Sequence, residues 1–451
     1  MVTPDFEWVT YAVARPGRAG AIATADEVTI PDLGNWPTAR DKMRILLETA
    51  AEIEHALLVQ YLYAAFSLKA RGEVSDAAQK AALKMWKDLL VETATDEMGH
   101  LMTVQNLLLA VGLPPNLERE DFPPRKDLYP FTLHLEPLTQ RSLAKYVAAE
   151  APRDADIDDI VALAADAAGT AVNRVGALYG LLGVVFSTEQ EVLDGGSISQ
   201  DWDDTLRLYA GAAYEQDPDR ASWHLTDDVI DRNTLVWQGD GTDWLNNGVP
   251  IHRIADRTGA RSAILDIAVQ GEGPSEGGIE SHFDRYHNMF AGQNGVKKFP
   301  PDDFVATRPL PVDPIASSFT EPRTRAWAEL ADLRYELMLG FIEHYLLTSD
   351  VDERRKASSW ALEEMFQLAA MNEALVKLPG PGVVAFGLPP TLHLPADPAE
   401  RWALHRARTE KSLAHVAQMR LEPLDTAHPI LASLSDEDTR RLADMPVPLA
   451  Q

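Results

Sequence analysis

The sequence contains no cysteine. That absence excludes disulfides, zinc–thiolate sites, iron–sulfur clusters and thiol nucleophiles together, so any metal must be held by histidine, carboxylate and water. Positive charge is scarce as well. Lys and Arg total 41 against 69 Asp and Glu, a formal charge of -28. Phosphate backbones and anionic membrane surfaces are bound by concentrated cationic surface, so neither nucleic acid nor membrane is an expected partner. Long apolar runs are missing: the longest, VGALYGLLGVVF at 175–186, is too short to span a bilayer. The N-terminal stretch lacks the cationic start and apolar run of a secretory signal, and a soluble cytoplasmic protein is expected. Phosphate loops are absent too. GRAGAIATA (17–25) has no Lys-Ser/Thr pair, and VQGEGPSEGG (269–278) is glycine-rich but acidic. No serine nucleophile elbow occurs.

What is present is helix. Hydrophobic residues make up 45% of 451, enough for a sizeable core. From Thr38 to Arg71 apolar residues recur at three and four, and Gly72 ends the run. Ser75 or Asp76 caps a second helix, which runs to about Val111 and stops at GLPP. With so short a turn between them, the two should pair antiparallel. A Pro-rich crossing (113–137), a short helix in TQRSLAKYVAAEAP and a long helix within 158–193 follow. Residues 194–270 read as an irregular, Trp-bearing insertion, and a further helix starts near Ile279. Two helices are expected at 323–349 and 352–378, and one more near 398–419. The expected organisation is an N-terminal extension (1–37), a helical bundle (38–295) with its insertion at 194–270, and a C-terminal helical hairpin with tail (296–451) packed on the bundle. DEMGHLMTVQNLLLAVGLP (96–114) is echoed by EEMFQLAAMNEALVKLP (363–379), where Gln367 stands in the place of His100. This reads as a duplicated hairpin whose later copy cannot ligate a metal in the same way.

The chemistry-bearing residues lie in the first hairpin. Thr93, Glu97, His100, Leu101, Val104 and Leu108 share one helix face, so Glu97 and His100 point inward with apolar neighbours. In the preceding helix Glu54 lies among Ala50, Ala51, Leu57, Leu58 and Tyr61. Burying an unpaired carboxylate or imidazole is costly, and a cation that both can ligate removes the cost. A Glu from one helix with Glu-x-x-His from its antiparallel neighbour is half of the carboxylate-bridged di-iron site of four-helix bundles. In the helix after Ile279, His282, Arg285, Tyr286 and Met289 share one face, and Glu280, Asp284 and His287 another. Either set could face the metal, and Glu272 or Glu276 could reach in from the loop. Arg285 suits a carboxylate clamp or a structural ion pair.

AEIEHALLVQYLYAAFSL followed by DEMGHLMTVQNLLLAVG resembles the ferritin-like domain of the iminophenyl-pyruvate dimer synthase family, which includes a violacein-pathway enzyme acting on an oxidised tryptophan imine. VGALYGLL and GEG…SHFDRY carry the resemblance into the third and fourth helices, over about residues 38–295. The resemblance implies a mainly α, ferritin-like four-helix bundle with long insertions, and iron-dependent oxidative chemistry. It assigns Glu54, Glu97 and His100 to the metal, and selects His282 on the fourth helix, with Glu280 the second choice. One position departs: the third-helix motif usually carries an acid where this chain has Ala177, which leaves one metal, or two bound unequally.

Oxygen and imidazole donors without sulfur suit Fe(II), with Mn or Zn as alternatives. The leading expectation is a non-haem iron oxidoreductase acting on a small amino-acid-derived or natural-product intermediate, with dioxygen as co-substrate. Glu280, Asp284 and Arg285 are the candidate proton-moving and substrate-holding groups. The alternatives are a non-redox isomerase, lyase or cyclase on the same site, and a helical scaffold with no activity. Trp202, Trp223, Trp237 and Trp244 offer aromatic lining for a pocket. Oligomeric state stays open.

Overall fold

A computed structural model describes residues 38–446, apart from 123–133, 153–154, 165–175, 197–198, 200–201, 205, 208–209, 211–213, 215–216, 245–247, 273–279, 302–305 and 381. Among the described residues the protein is helical, and its one isolated β-bridge joins Leu68 to Thr307. The chain divides into two compact units. The first runs to Asp240 and resumes over Val249–Thr307; the second comprises Gly241–Gly248 and the chain from Arg308 onward.

In the first unit, α1 (Ala39–Ser67) is capped by Thr38, whose hydroxyl accepts from the Asp41 N–H. The second helix, α2 (Ala77–Ala110), is capped by Asp76 accepting from the Gln79 N–H. Gly112, at φ 77°, takes the left-handed conformation that stops α2. These two long helices form the most extensive helix pair of the unit, the hairpin that the spacing predicts. Four shorter helices follow: α3 (Gln140–Ala149), α4 (Asp158–Ala164), α5 (Gly176–Phe186) and α6 (Glu189–Asp194). Then come α7 (Arg257–Glu272) and α8 (His282–Ala291). α5 packs on α1 and on α7, while α8 packs on α3, α7 and α2, closing a bundle around the inner faces of α1 and α2.

The segment 194–270 departs from its reading as irregular throughout. Short 3-10 turns do occupy Arg220–Trp223, Asp227–Val229 and Arg232–Val236. Its last part, however, is the sixteen-residue α7. There Ala260, Ala263, Ile264 and Ile267 are buried at a spacing of three and four. Gly259 and Gly271 near its ends hide a bundle helix inside what resembles loop composition.

The second unit holds the expected hairpin, α9 (Pro322–Leu347) and α10 (Val351–Leu375), the expected tail helix α11 (Pro398–Met419), and a further helix, α12 (Pro429–Asp444). Three of them begin with Pro in the first turn, where its missing N–H costs nothing. A salt-bridge core lies between them. All five N–H groups of the buried Arg334 are used. Nε and Nη2 grip Glu364 at 2.7 and 2.6 Å, Nη2 also reaches Gln367 at 3.2 Å, and Nη1 reaches Asp438 at 2.5 Å and Ser412 at 3.2 Å. Arg441 also donates to Glu364, so two buried guanidiniums face two fully buried carboxylates. The echoed motif thus ends differently here: Glu364, in the place of Glu97, binds guanidinium groups.

Candidate metal centre

Five buried side chains from four helices converge inside the first unit. α1 supplies Glu54, and α2 supplies Glu97 and His100, which the three-residue spacing places one turn apart on the inner face. α8 supplies His282 in its first turn, beside the cap formed by Ser281. The fifth is Glu150, at the C-terminal cap of α3. They form two groups able to hold a cation, Glu54–Glu97–His100 and Glu97–Glu150–His282, with the ligand atoms of each within 4.8 Å of one another. Both groups share Glu97. Its Oε2 lies 3.0 Å from His100 Nδ1 and its Oε1 3.2 Å from His282 Nδ1. Glu54 Oε2 is 3.4 Å from the same His100 nitrogen, and Glu150 Oε1 is 3.9 Å from that of His282. The two imidazole rings stand 5.5 Å apart.

A second layer of side chains contacts four of these five. The Tyr179 hydroxyl donates to Glu54 Oε1, and that of Tyr61 to Glu150 Oε1 at 2.6 Å. His100 Nε2 faces the amide oxygen of Gln270 at 3.1 Å. That oxygen only accepts, so Nε2 carries the proton and Nδ1 is left to face the carboxylates. Asp96 Oδ2 is 3.5 Å from His282 Nε2 and 2.6 Å from Arg285 Nη1.

The electrostatics are those of an acid cluster held together by protons. Burial, reinforced by the Glu97 charge, pushes the Glu54 carboxyl up to about 8. Burial would raise Glu97 as well, but the His282 charge and the bonds from both imidazoles outweigh it and hold this carboxyl below the usual range. Burial would lower His100, yet its bonds to Glu54 and Glu97 bring it up to about 10. His282 is held well above its ordinary value by Glu97, against the effect of burial.

The donor set suits a divalent cation. Three carboxylates and two imidazoles, with no sulfur, match Fe(II), Mn(II) or Zn(II). Glu54 Oε2 is buried, with His100 Nδ1 at 3.4 Å as its neighbour and no well-formed hydrogen bond, which leaves an acceptor for a cation. Glu54, Glu97, His100, Glu150 and His282 line a cavity of about 20 Å³, together with Leu57, Tyr179, Ile267, Ala268 and Gly271. That volume admits only a very small molecule and is far below the several hundred Å³ of a pocket for an organic ligand.

The four residues assigned to the metal from sequence are all in the cluster. Of the two α8 faces, the one with His282, Tyr286 and Met289 is the buried one. Glu280 is half-buried and accepts from Asn288 at 2.9 Å, and Asp284 lies in the first turn of α8; neither lines the cavity. Arg285 is in the ion pair with Asp96, the structural alternative to a substrate clamp. Glu276 lies outside the described residues, as does the side chain of Glu272. Trp202, Trp223 and Trp244 are buried, Trp237 is half-buried, and none of the four lines the cavity.

Glu150 escaped the sequence reading; it follows a helix buried on every side from Ser142 to Ala149. The acid missing at Ala177 has no substitute among the described residues of α5, which gives Tyr179 instead; the third carboxylate comes from the end of α3. A family model described as ferritin-like matches residues 47–291. No curated protein and no solved structure matches the chain.

Proposed function

The chain belongs to the ferritin-like family, and on that premise we propose that it is a non-haem iron oxidoreductase acting on a small amino-acid-derived or natural-product intermediate, with dioxygen as co-substrate. The observation that carries this reading is Glu97, one carboxylate whose two oxygens face two different imidazoles, each beside a further carboxylate. Such an arrangement would let one side chain serve two cation positions. Glu54 and His100 would complete the first position, and Glu150 and His282 the second. Iron(II) held there supplies the capacity to reduce dioxygen and to draw electrons from an organic donor. The protein's own groups do the rest. Tyr179 and Tyr61 donate to the outer carboxylates and fix their orientation, while Gln270 fixes the His100 tautomer. The likeness of the first-hairpin motifs to the iminophenyl-pyruvate dimer synthase family supports the choice of an amino-acid-derived substrate.

Metal stoichiometry tests the reading. Protein purified without chelator and titrated anaerobically with Fe(II) should bind two equivalents by elemental mass spectrometry. Glu97→Ala should bind none, while Glu150→Ala and Glu54→Ala should each keep one, and iron-dependent oxygen uptake should fall with the metal. Retention of both equivalents by Glu97→Ala would sink the bridged site. Preference for zinc or manganese without oxygen uptake would point to non-redox chemistry on the same ligands.

A further inference from the structure

One wall of the cavity carries no ligand among the described residues. Glu54, Glu97, His100, Glu150 and His282 surround it on α1, α2, α3 and α8, and the remaining face is largely α7. Ile267, Ala268 and Gly271 lie there at i, i+1 and i+4, on one side of that helix. Gln270 ties the same turn to His100. Gly271 keeps an ordinary helical backbone, without the positive φ that would demand glycine. Inside a helix, glycine costs about 0.5–1 kcal/mol relative to alanine. Space accounts for it instead: a Cβ at this position would sit 3.0 Å from Glu150 Oε2. The missing side chain keeps open the strip between α7 and the Glu150 carboxylate.

We infer that Gly271, with Ala268, sets the size of the exogenous ligand admitted to the metal centre, and that this ligand is a molecule of two or three non-hydrogen atoms, dioxygen or a linear triatomic anion. This inference rests on the metal-site reading above. The organic substrate therefore lies outside the cavity. One added methyl at 271 fills the strip without removing any ligand.

The test uses the full-length protein loaded with cobalt(II), whose visible absorption reports what binds beside the carboxylates. Azide, with three atoms, is titrated against acetohydroxamate, which is larger. In the wild-type protein azide should shift the spectrum and acetohydroxamate should not. Gly271→Ala should bind cobalt with unchanged stoichiometry and bind azide about ten-fold more weakly or worse, the cost of one overpacked methyl. Adding Ala268→Gly to that variant should return azide affinity toward wild type. Equal binding of acetohydroxamate by the wild-type protein would overturn the size limit, and undiminished azide binding by Gly271→Ala would overturn the role of Gly271. Loss of cobalt from Gly271→Ala would mean that the glycine seats Glu150 and does not admit ligand. Failure of the wild-type protein to bind cobalt would refute the metal site itself, a separate result.

Discussion

At the scale of single residues, the two units solve one problem differently. Glu97 is a buried acid compensated by imidazoles and poised for a cation, whereas Glu364 is a buried acid gripped by Arg334 and Arg441. Glu54 lies thirteen residues before Ser67, the end of α1, and Arg334 lies thirteen before Leu347, the end of α9. A guanidinium on the first helix of the later hairpin therefore stands where the earlier one has a carboxylate. Removing it should be severe. Arg334→Ala leaves Glu364 and Asp438 buried and short of cation, and should lower stability by about 3–5 kcal/mol in urea denaturation. A loss below about 1 kcal/mol would show that Arg441 alone suffices. Spacing made Glu54, Glu97 and His100 legible, because a charged residue in an apolar stripe conflicts with its surroundings. Glu150 was harder to see. Its helix is short, and the residue sits past the last turn, where acids are usually solvated.

At the scale of helices, glycines mark where elements touch. α2 passes so close to the segment at Pro250 that a Cβ on Gly99 would come within 2.5 Å of the Pro250 carbonyl oxygen. Asn106, two turns further on, bonds the carbonyl oxygens of Gly239 and His252. The segment leading into α7 is thus held along the back of α2. Gly99→Ala should gain helix propensity yet lose about 1–3 kcal/mol through overpacking, seen as a lower thermal midpoint. A raised midpoint would show that the segment shifts freely. Helix existence was readable throughout the two hairpins, where long periodic runs end in Asp, Thr, Gly or Pro. α7 and α12 were not. One is flanked by glycines that suggest loop, and the other follows a Pro-punctuated stretch whose helix is held by Leu431, Leu434 and the salt-bridge core.

At the scale of the whole molecule, acid pulls two ways. Protonating part of the 69 acidic groups relieves the self-repulsion of a -28 chain. Against this stand His344 and His405, buried and joined Nδ1 to Nε2 at 3.0 Å, with Glu353 3.5 Å beyond. Burial, helped by Arg401, holds His344 down to about 4, and burial with the neighbouring His344, Arg408 and Arg401 holds His405 well below its ordinary value. Both folded values lie below the ordinary 6.5, so between pH 6.5 and about 4 the unfolded chain binds more protons, and stability falls as pH falls. Urea midpoints at pH 7 and 4.5 should therefore separate more in the wild-type protein than in His405→Gln. An identical separation would remove the pair as the source. The absence of cysteine settles thiol chemistry from the sequence itself, but nothing in composition revealed where the chain changes unit. It leaves the first at Asp240, lends Gly241–Gly248 to the second, and returns at Val249. Trp244, in that lent segment, is fully buried with its ring 5.3 Å from Tyr345. A nascent chain therefore releases this indole about a hundred residues before its partner has been made. At the ribosome's pace of about 5–20 residues per second, it waits several seconds or more for cover, and a fragment ending at Thr307 would wait indefinitely.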